Sequence, residues 1–224
     1  MKEIRIKEVQ SVDQESLRLG MLNECKETER VEGAAEQISH IEQLHPKVWS
    51  QLTETQREWS LRRVGEKLSQ VYECPAPPFI SGSYKEENGG ITRGEHSNFD
   101  YITKLNREVI EMDDSGQALE TYCHEFRHAY QHEMAGRYDS AYMHRQEFHL
   151  RSYQSEMEGR FNSPFRHLCH DETKAAQWAE NLKPGNYVSF EEDPERYAAQ
   201  PVEKDARDFG ARVKEAVCRR RVVP

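Results

Sequence analysis

His124-Glu125-Phe126-Arg127-His128, set inside the run from Ala118 to Met134, constrains this chain more than any other feature. Wound at about 100° per residue, Ala118, Leu119, Tyr122, Phe126, Ala129 and Tyr130 fall within one arc of about 120°, the width of an apolar face turned to a core. His124 and His128 lie on the opposite side, one turn apart, so both imidazoles can point at one ion. Glu125 falls at the edge of that side, where it can reach a water on such an ion without being a ligand. Zinc lowers the pKa of that water to about 7, and a carboxylate can then take its proton. The run is therefore expected to be a helix with a core on one face and a metal on the other.

The rest of the chain is read around that helix. Residues 13 to 73 read as helical. Val48, Leu52 and Trp59 share one face, and Leu61, Val64, Leu68 and Val71 another, which predicts a kink or break near Ser60. Pro75-Ala76-Pro77-Pro78 stops helix. Phe79-Ile80, Tyr101-Ile102 and Val109-Ile110 are short β-prone pieces separated by Asn88-Gly89-Gly90, and predict two or three strands. Asp113-Asp114-Ser115 is a cap region that opens the central helix, from about 116 to 134. Residues 141 to 182 read as helical, broken near Ser163-Pro164 and entered afresh at Asp171. Pro184-Gly185-Asn186 is a turn, Asp193-Pro194 starts a short helix, and Pro201 starts a last one through about Cys218. Helices, a small sheet, then helices give an α+β class. Residues 1–74 form a helical N-terminal segment and residues 75–224 the domain with the motif, expected to pack as one compact unit.

Composition removes several function classes. Net charge is −9 and mean hydropathy −0.97. A nucleic-acid partner is not expected, because phosphate binding needs clustered Lys and Arg, and Arg219-Arg220-Arg221 suits a helix C-terminus instead. No window approaches a membrane span, and MKEIRIKEVQ has no apolar signal core, so the chain as given reads as cytoplasmic. Cys25, Cys74, Cys123, Cys169 and Cys218 are single and odd in number, which predicts reduced thiols.

Two histidines leave a zinc site one protein ligand short. His132 lies two turns beyond His124, too far along the same row. Met134 stands where a long metzincin-type motif has its third histidine. His144, His149, His167 and His170 are possible, with His167-Leu168-Cys169-His170 reading better as a polar helix end. The last helix offers more. Its core face is Val202, Ala206, Phe209 and Val213, and Glu203 and Asp205 flank it about 80° to either side. Ala206 and Gly210 are small enough for close helix packing. Periodicity does not choose between Glu203 and Asp205.

Cys123-His124-Glu125-Phe126-Arg127-His128-Ala129-Tyr130-Gln131 and the stretch from Tyr197 to Gly210 resemble the gluzincin branch of the zincin metallopeptidases, in its compact bacterial and phage forms. The resemblance covers at most residues 79 to 217 and adds no functional residue from 1 to 72. It implies a zincin-like α+β domain with a small twisted sheet and a Zn2+ cofactor. The metal ligands it implies are His124, His128 and Glu203, with Glu125 as catalytic base and Asp205 supporting a ligand. The activity implied is peptide-bond hydrolysis on a protein or peptide substrate. A strand before the metal helix, around Arg107 to Met112, would align that substrate. Similar domains also occur as exported bacterial effector or toxin modules. No motif places the oxyanion-stabilising group; Tyr197, Tyr187, His132 and Arg127 are the candidates. The competing expectations are another zinc hydrolase, an amidase or isopeptidase, on the same site, and a non-enzymatic helical interaction protein.

Overall fold

The computed structural model describes residues 24–83, 93–97, 100–155 and 172–222. Helix α1 (24–39) turns Val31, Ala34, Ala35 and Ile38 inward. A 3-10 turn (Glu42–Leu44) leads into the short α2 (Pro46–Trp49), and α3 (Glu54–Tyr72) follows. The expected break near Ser60 is absent. Ser60 is buried, its hydroxyl donates to the carbonyl of Gln56 at 2.7 Å, and α3 runs through it. The chain breaks instead between α2 and α3. There Thr53 starts α3 with a capping box, its hydroxyl accepting from the Gln56 N–H while the Gln56 side chain takes the Thr53 N–H. Trp59 is accordingly 55% exposed, while Leu61, Val64 and Leu68 are buried.

Three strands form one sheet in the order β1-β3-β2: β1 (Phe79–Gly82), β2 (Gly94–Ser97) and β3 (Ile102–Asn106). β1 lies parallel to β3 with Phe79 opposite Thr103, and β2 lies antiparallel to it with Gly94 opposite Leu105 and His96 opposite Thr103. Val109 and Ile110, read as a strand, belong instead to the short helix α4 (Arg107–Glu111). Asn106 caps it by accepting from the Glu108 N–H, and both apolar residues bury. The third strand is Gly94–Ser97, whose Gly-Glu-His-Ser sequence carries no β-branched or alternating apolar signal. Asn88-Gly89-Gly90 lies outside the described residues.

Helix α5 spans Ser115–Ser155. Asp114 caps it, its Oδ1 accepting from Gly116 and Gln117. It does not end near Met134: Met134 and Ala135 are buried, Glu133 pairs with Arg137 one turn on, and no proline interrupts. The break at Ser163-Pro164 and the entry at Asp171 lie outside the described residues. Helix α6 (Glu172–Asn181), the turn at 184–186 with Gly185 at φ +86°, α7 (Pro194–Ala199) capped by Asp193, and α8 (Pro201–Val222) complete the chain. Arg219, Arg220 and Arg221 do end a helix, and Arg221 donates to the carbonyls of Leu44 and Ile41.

The core is continuous. It runs from Val31 and Ile38 of α1 through Leu61 and Leu68 of α3, Phe79, Leu105, Tyr122 and Phe126, to Val202, Phe209 and Val213 of α8. The expected core faces of α5 and α8 are all buried. α5 is in contact on most of its circumference, with α8 and α6 its largest neighbours. α8 comes close to α5 at Gly210: a Cβ there would stand 2.7 Å from the Glu120 carbonyl oxygen. That close approach carries Glu203, two turns earlier, up to the histidines of α5. Four described cysteines, Cys25, Cys74, Cys123 and Cys218, are free thiols, and Cys169 lies outside the described residues. Among the described residues no helix is long and apolar enough to cross a membrane.

Candidate metal centre

α5 presents His124 and His128 one turn apart, and α8 brings Glu203 against both. His124 Nε2 lies 3.0 Å from His128 Nε2. Glu203 Oε2 lies 3.7 Å from the first and Glu203 Oε1 3.6 Å from the second. Three ligands held tetrahedrally at about 2.0 to 2.1 Å from one ion stand roughly 3.3 Å apart. The closest approaches of the three side chains lie near that value, and the three could hold one metal ion. Glu203 is 1% exposed, and its Oε2 is buried without a hydrogen-bond partner. A buried carboxylate oxygen left unpaired is costly. A cation between the helices would satisfy it.

Charge in the cluster is strongly displaced. Burial alone would raise the Glu203 carboxyl; the adjacent His128, with Tyr197 and His124, outweighs it and holds the group down to about 2. Burial, reinforced by His128, pushes His124 down to about 3, so its ring is neutral. His128 goes the other way. Burial opposes its charge, but Glu203 and Glu125 raise it. Glu125 is 4% exposed, and burial pushes its carboxyl up to about 7, against a partial offset from His128. A carboxyl poised near neutrality beside paired metal donors has the affinity a general base needs.

Strand β2 passes directly over this carboxylate. A Cβ on Gly94 would stand 2.7 Å from Glu125 Oε1, so only glycine lets the strand come so near. Two residues on, His96 faces His132 across a ring separation of 6.0 Å. Burial pushes both rings down, to about 3 and about 4, and both are neutral. His132 therefore lies outside the cluster, paired with a strand residue that sequence reasoning did not single out. The segment Arg107 to Met112, expected to align a substrate, is α4 and cannot present a strand edge. Among the described residues β2 is the edge strand at the site.

The other candidates sort by position. Tyr187 donates to Glu203 Oε1 at 2.9 Å, and the nearby Tyr197 helps to hold the Glu203 carboxyl down. Their rings meet edge to face at 6.3 Å, and both hydroxyls are held protonated by burial and the Glu203 charge. Arg127 is not at the mouth at all. Its side chain is 2% exposed and points to the far side of α5, donating to both oxygens of Asp205 at 2.7 and 3.2 Å. Glu27 of α1 stands 3.0 Å from its Nη1, a charge contact off the hydrogen-bond line. The rings of Phe209, Tyr130, Trp178 and Tyr72 surround it with centroids 4.9 to 5.7 Å away. So residues 1 to 72 do reach the surroundings of the site, through Glu27 and Tyr72. Asp205 is not one of the three converging donors: it touches Arg127, Lys174 and Gln131. His144 and His149 lie on α5 four to six turns past His128, roughly 24 and 32 Å along the axis. His167 and His170 lie outside the described residues.

No protein-family model, no curated protein and no solved structure matches the chain.

Proposed function

We propose that the chain is a zinc-dependent metallopeptidase with His124, His128 and Glu203 as metal ligands and Glu125 as general base. The observation that carries this reading is the convergence of two imidazoles and an otherwise orphaned carboxylate oxygen from two helices, with a buried carboxyl beside them. Two nitrogens and one oxygen leave a fourth position open, the donor set of hydrolytic zinc. Zinc held there supplies acidified water and polarises a carbonyl. Glu125 takes the proton from the attacking water and returns it to the departing amine, which its raised pKa suits. Tyr197 keeps its proton beside Glu203, where its hydroxyl can donate to a developing oxyanion, while Tyr187 commits its own proton to Glu203 Oε1. β2 offers its outer edge to an extended peptide, whose backbone would pair there with the scissile bond above Glu125. That edge favours a peptide substrate over a small amide; an amidase or isopeptidase would use the same centre, and a screen of cleaved protein substrates separates them.

The two carboxylates of α8 are expected to behave differently. Glu203→Ala removes a ligand and should abolish stoichiometric zinc. Asp205→Ala acts on His128 only through Gln131 and should weaken zinc about 10- to 100-fold without abolishing it. Titration of each variant against a competing chelator decides it; tight zinc in Glu203→Ala with none in Asp205→Ala reverses the assignment.

Zinc affinity should also depend on pH with a definite sign. Glu203, held near 2, and His124, held near 3, are already in their binding forms above pH 5. His128 is raised, so a proton must leave it before the ring can bind, and Glu125 sheds part of a second as positive charge arrives. Affinity should rise about tenfold or slightly more per pH unit below the His128 pKa and level off above it. Chelator competition from pH 5.5 to 8.5 measures this, and a flat profile contradicts the ligand assignment.

A further inference from the structure

Behind His128 lies a chain of polar contacts that takes no direct part in hydrolysis. His128 Nδ1 is 2.9 Å from Gln131 Oε1. The Gln131 Nε2 donates to the Val202 carbonyl at 2.9 Å and to Asp205 Oδ2 at 3.0 Å. Asp205 is gripped by Arg127, and Arg127 in turn is contacted by Glu27. Gln131 is 1% exposed, so no solvent competes for its amide.

We propose that Gln131 is the positioning residue that fixes the tautomer of His128, and that Asp205, Arg127 and Glu27 hold Gln131 in the orientation that does so. The proposal rests on the reading of His124, His128 and Glu203 as a metal site. The logic is one of acceptors. The carbonyl of Val202 and the ionised carboxylate of Asp205 can only accept. The amide end facing them is therefore the NH2, because the reverse orientation would set an oxygen against two acceptors in a buried place. The carbonyl end then faces His128, and an oxygen there requires Nδ1 to carry a hydrogen. The neutral ring is left with its lone pair on Nε2, the nitrogen that faces His124 and Glu203. Ligating histidines are commonly held this way by a carboxylate or a backbone carbonyl. Here a neutral amide does it, and its own orientation is set by an ion pair that reaches α1. The N-terminal helix thereby takes part in the chemistry of the centre through Glu27, without approaching the metal donors.

Long-range proton–nitrogen NMR on the zinc-free protein, at a pH where His128 is neutral, tests this independently of activity. His128 should be the Nδ1–H tautomer in the natural protein. Gln131→Leu should move it to the Nε2–H form that neutral imidazole prefers in water, and lower zinc affinity about 10- to 100-fold. A natural protein with His128 as Nε2–H overturns the proposal, and that spectrum needs no variant to fold. An unchanged tautomer in folded Gln131→Leu overturns it equally. Zinc binding by the natural protein is measured separately, so a failure of the metal reading appears there and a failure of the tautomer assignment appears in the spectrum.

Discussion

Glu125→Gln should fold, bind zinc as the natural protein does, and lose about a hundredfold or more in turnover. The amide has the shape of the carboxylate, so the contact with Gly94 is kept, but it cannot accept the proton of an attacking water. The side chain is not one of the three converging donors, which is why metal should stay. Stability supplies a control with the opposite sign. Burial raises the Glu125 carboxyl to about 7 from an ordinary 4.5, so ionising it opposes folding, and that cost is complete above pH 7. The metal-free glutamine variant should therefore unfold at no lower temperature than the natural protein at pH 8. Full turnover in a zinc-loaded Glu125→Gln would remove Glu125 from the mechanism.

Arg127→Met is the second large effect, and it falls on stability. The guanidinium is enclosed by four aromatic rings and faces Asp205 and Glu27, whose side chains are only 18% and 11% exposed. Removing one member of a buried ion pair leaves the partner charge uncompensated and costs about 3 to 5 kcal/mol. A domain of this size has about 5 to 15 kcal/mol to lose. Arg127→Lys keeps the charge but not the two-pronged grip on Asp205 or the planar stacking, and should fall between. Urea unfolding with unchanged denaturant dependence gives the comparison. A loss below about 1 kcal/mol for Arg127→Met would show that the network contributes little to folding. The Asp205 carboxyl is held to about 2 against an ordinary 3.8, burial notwithstanding, by Arg127. Its share of stability is thus full above pH 4 and lost as pH falls through 2, and the methionine variant should lack that acid-sensitive part.

Much of the centre was legible because it is local. His124, Glu125 and His128 sit within one turn and a third of a single helix, and helical geometry alone sets their relation. Glu203 was legible only in part: its helix face placed it at the edge of the core, but the choice over Asp205 needed a contact between α5 and α8 that no periodicity contains. Gln131 had a local signal, since it stands three residues after His128 on the same face. Glu27 had none, because a residue one hundred positions from Arg127 meets it only through the packing of α1. The same division runs through the fold. Caps at Asp114 and Asp193 and the turn at Gly185 rest on side-chain chemistry within a few residues. β2 does not: Gly94 and His96 form a strand because β3 and α5 enclose them, not because of intrinsic preference. Val109 and Ile110 show the converse, two β-branched residues drawn into a helical turn by the Asn106 cap and by burial.

Zinc content of the purified protein, measured by elemental analysis beside Glu203→Ala, tests the central claim most directly. The account predicts one zinc per chain in the natural protein, bound tightly enough to survive dialysis, and none above background in Glu203→Ala with its fold intact. A natural protein that takes up no zinc when it is offered, or a Glu203→Ala variant that keeps one per chain, contradicts it.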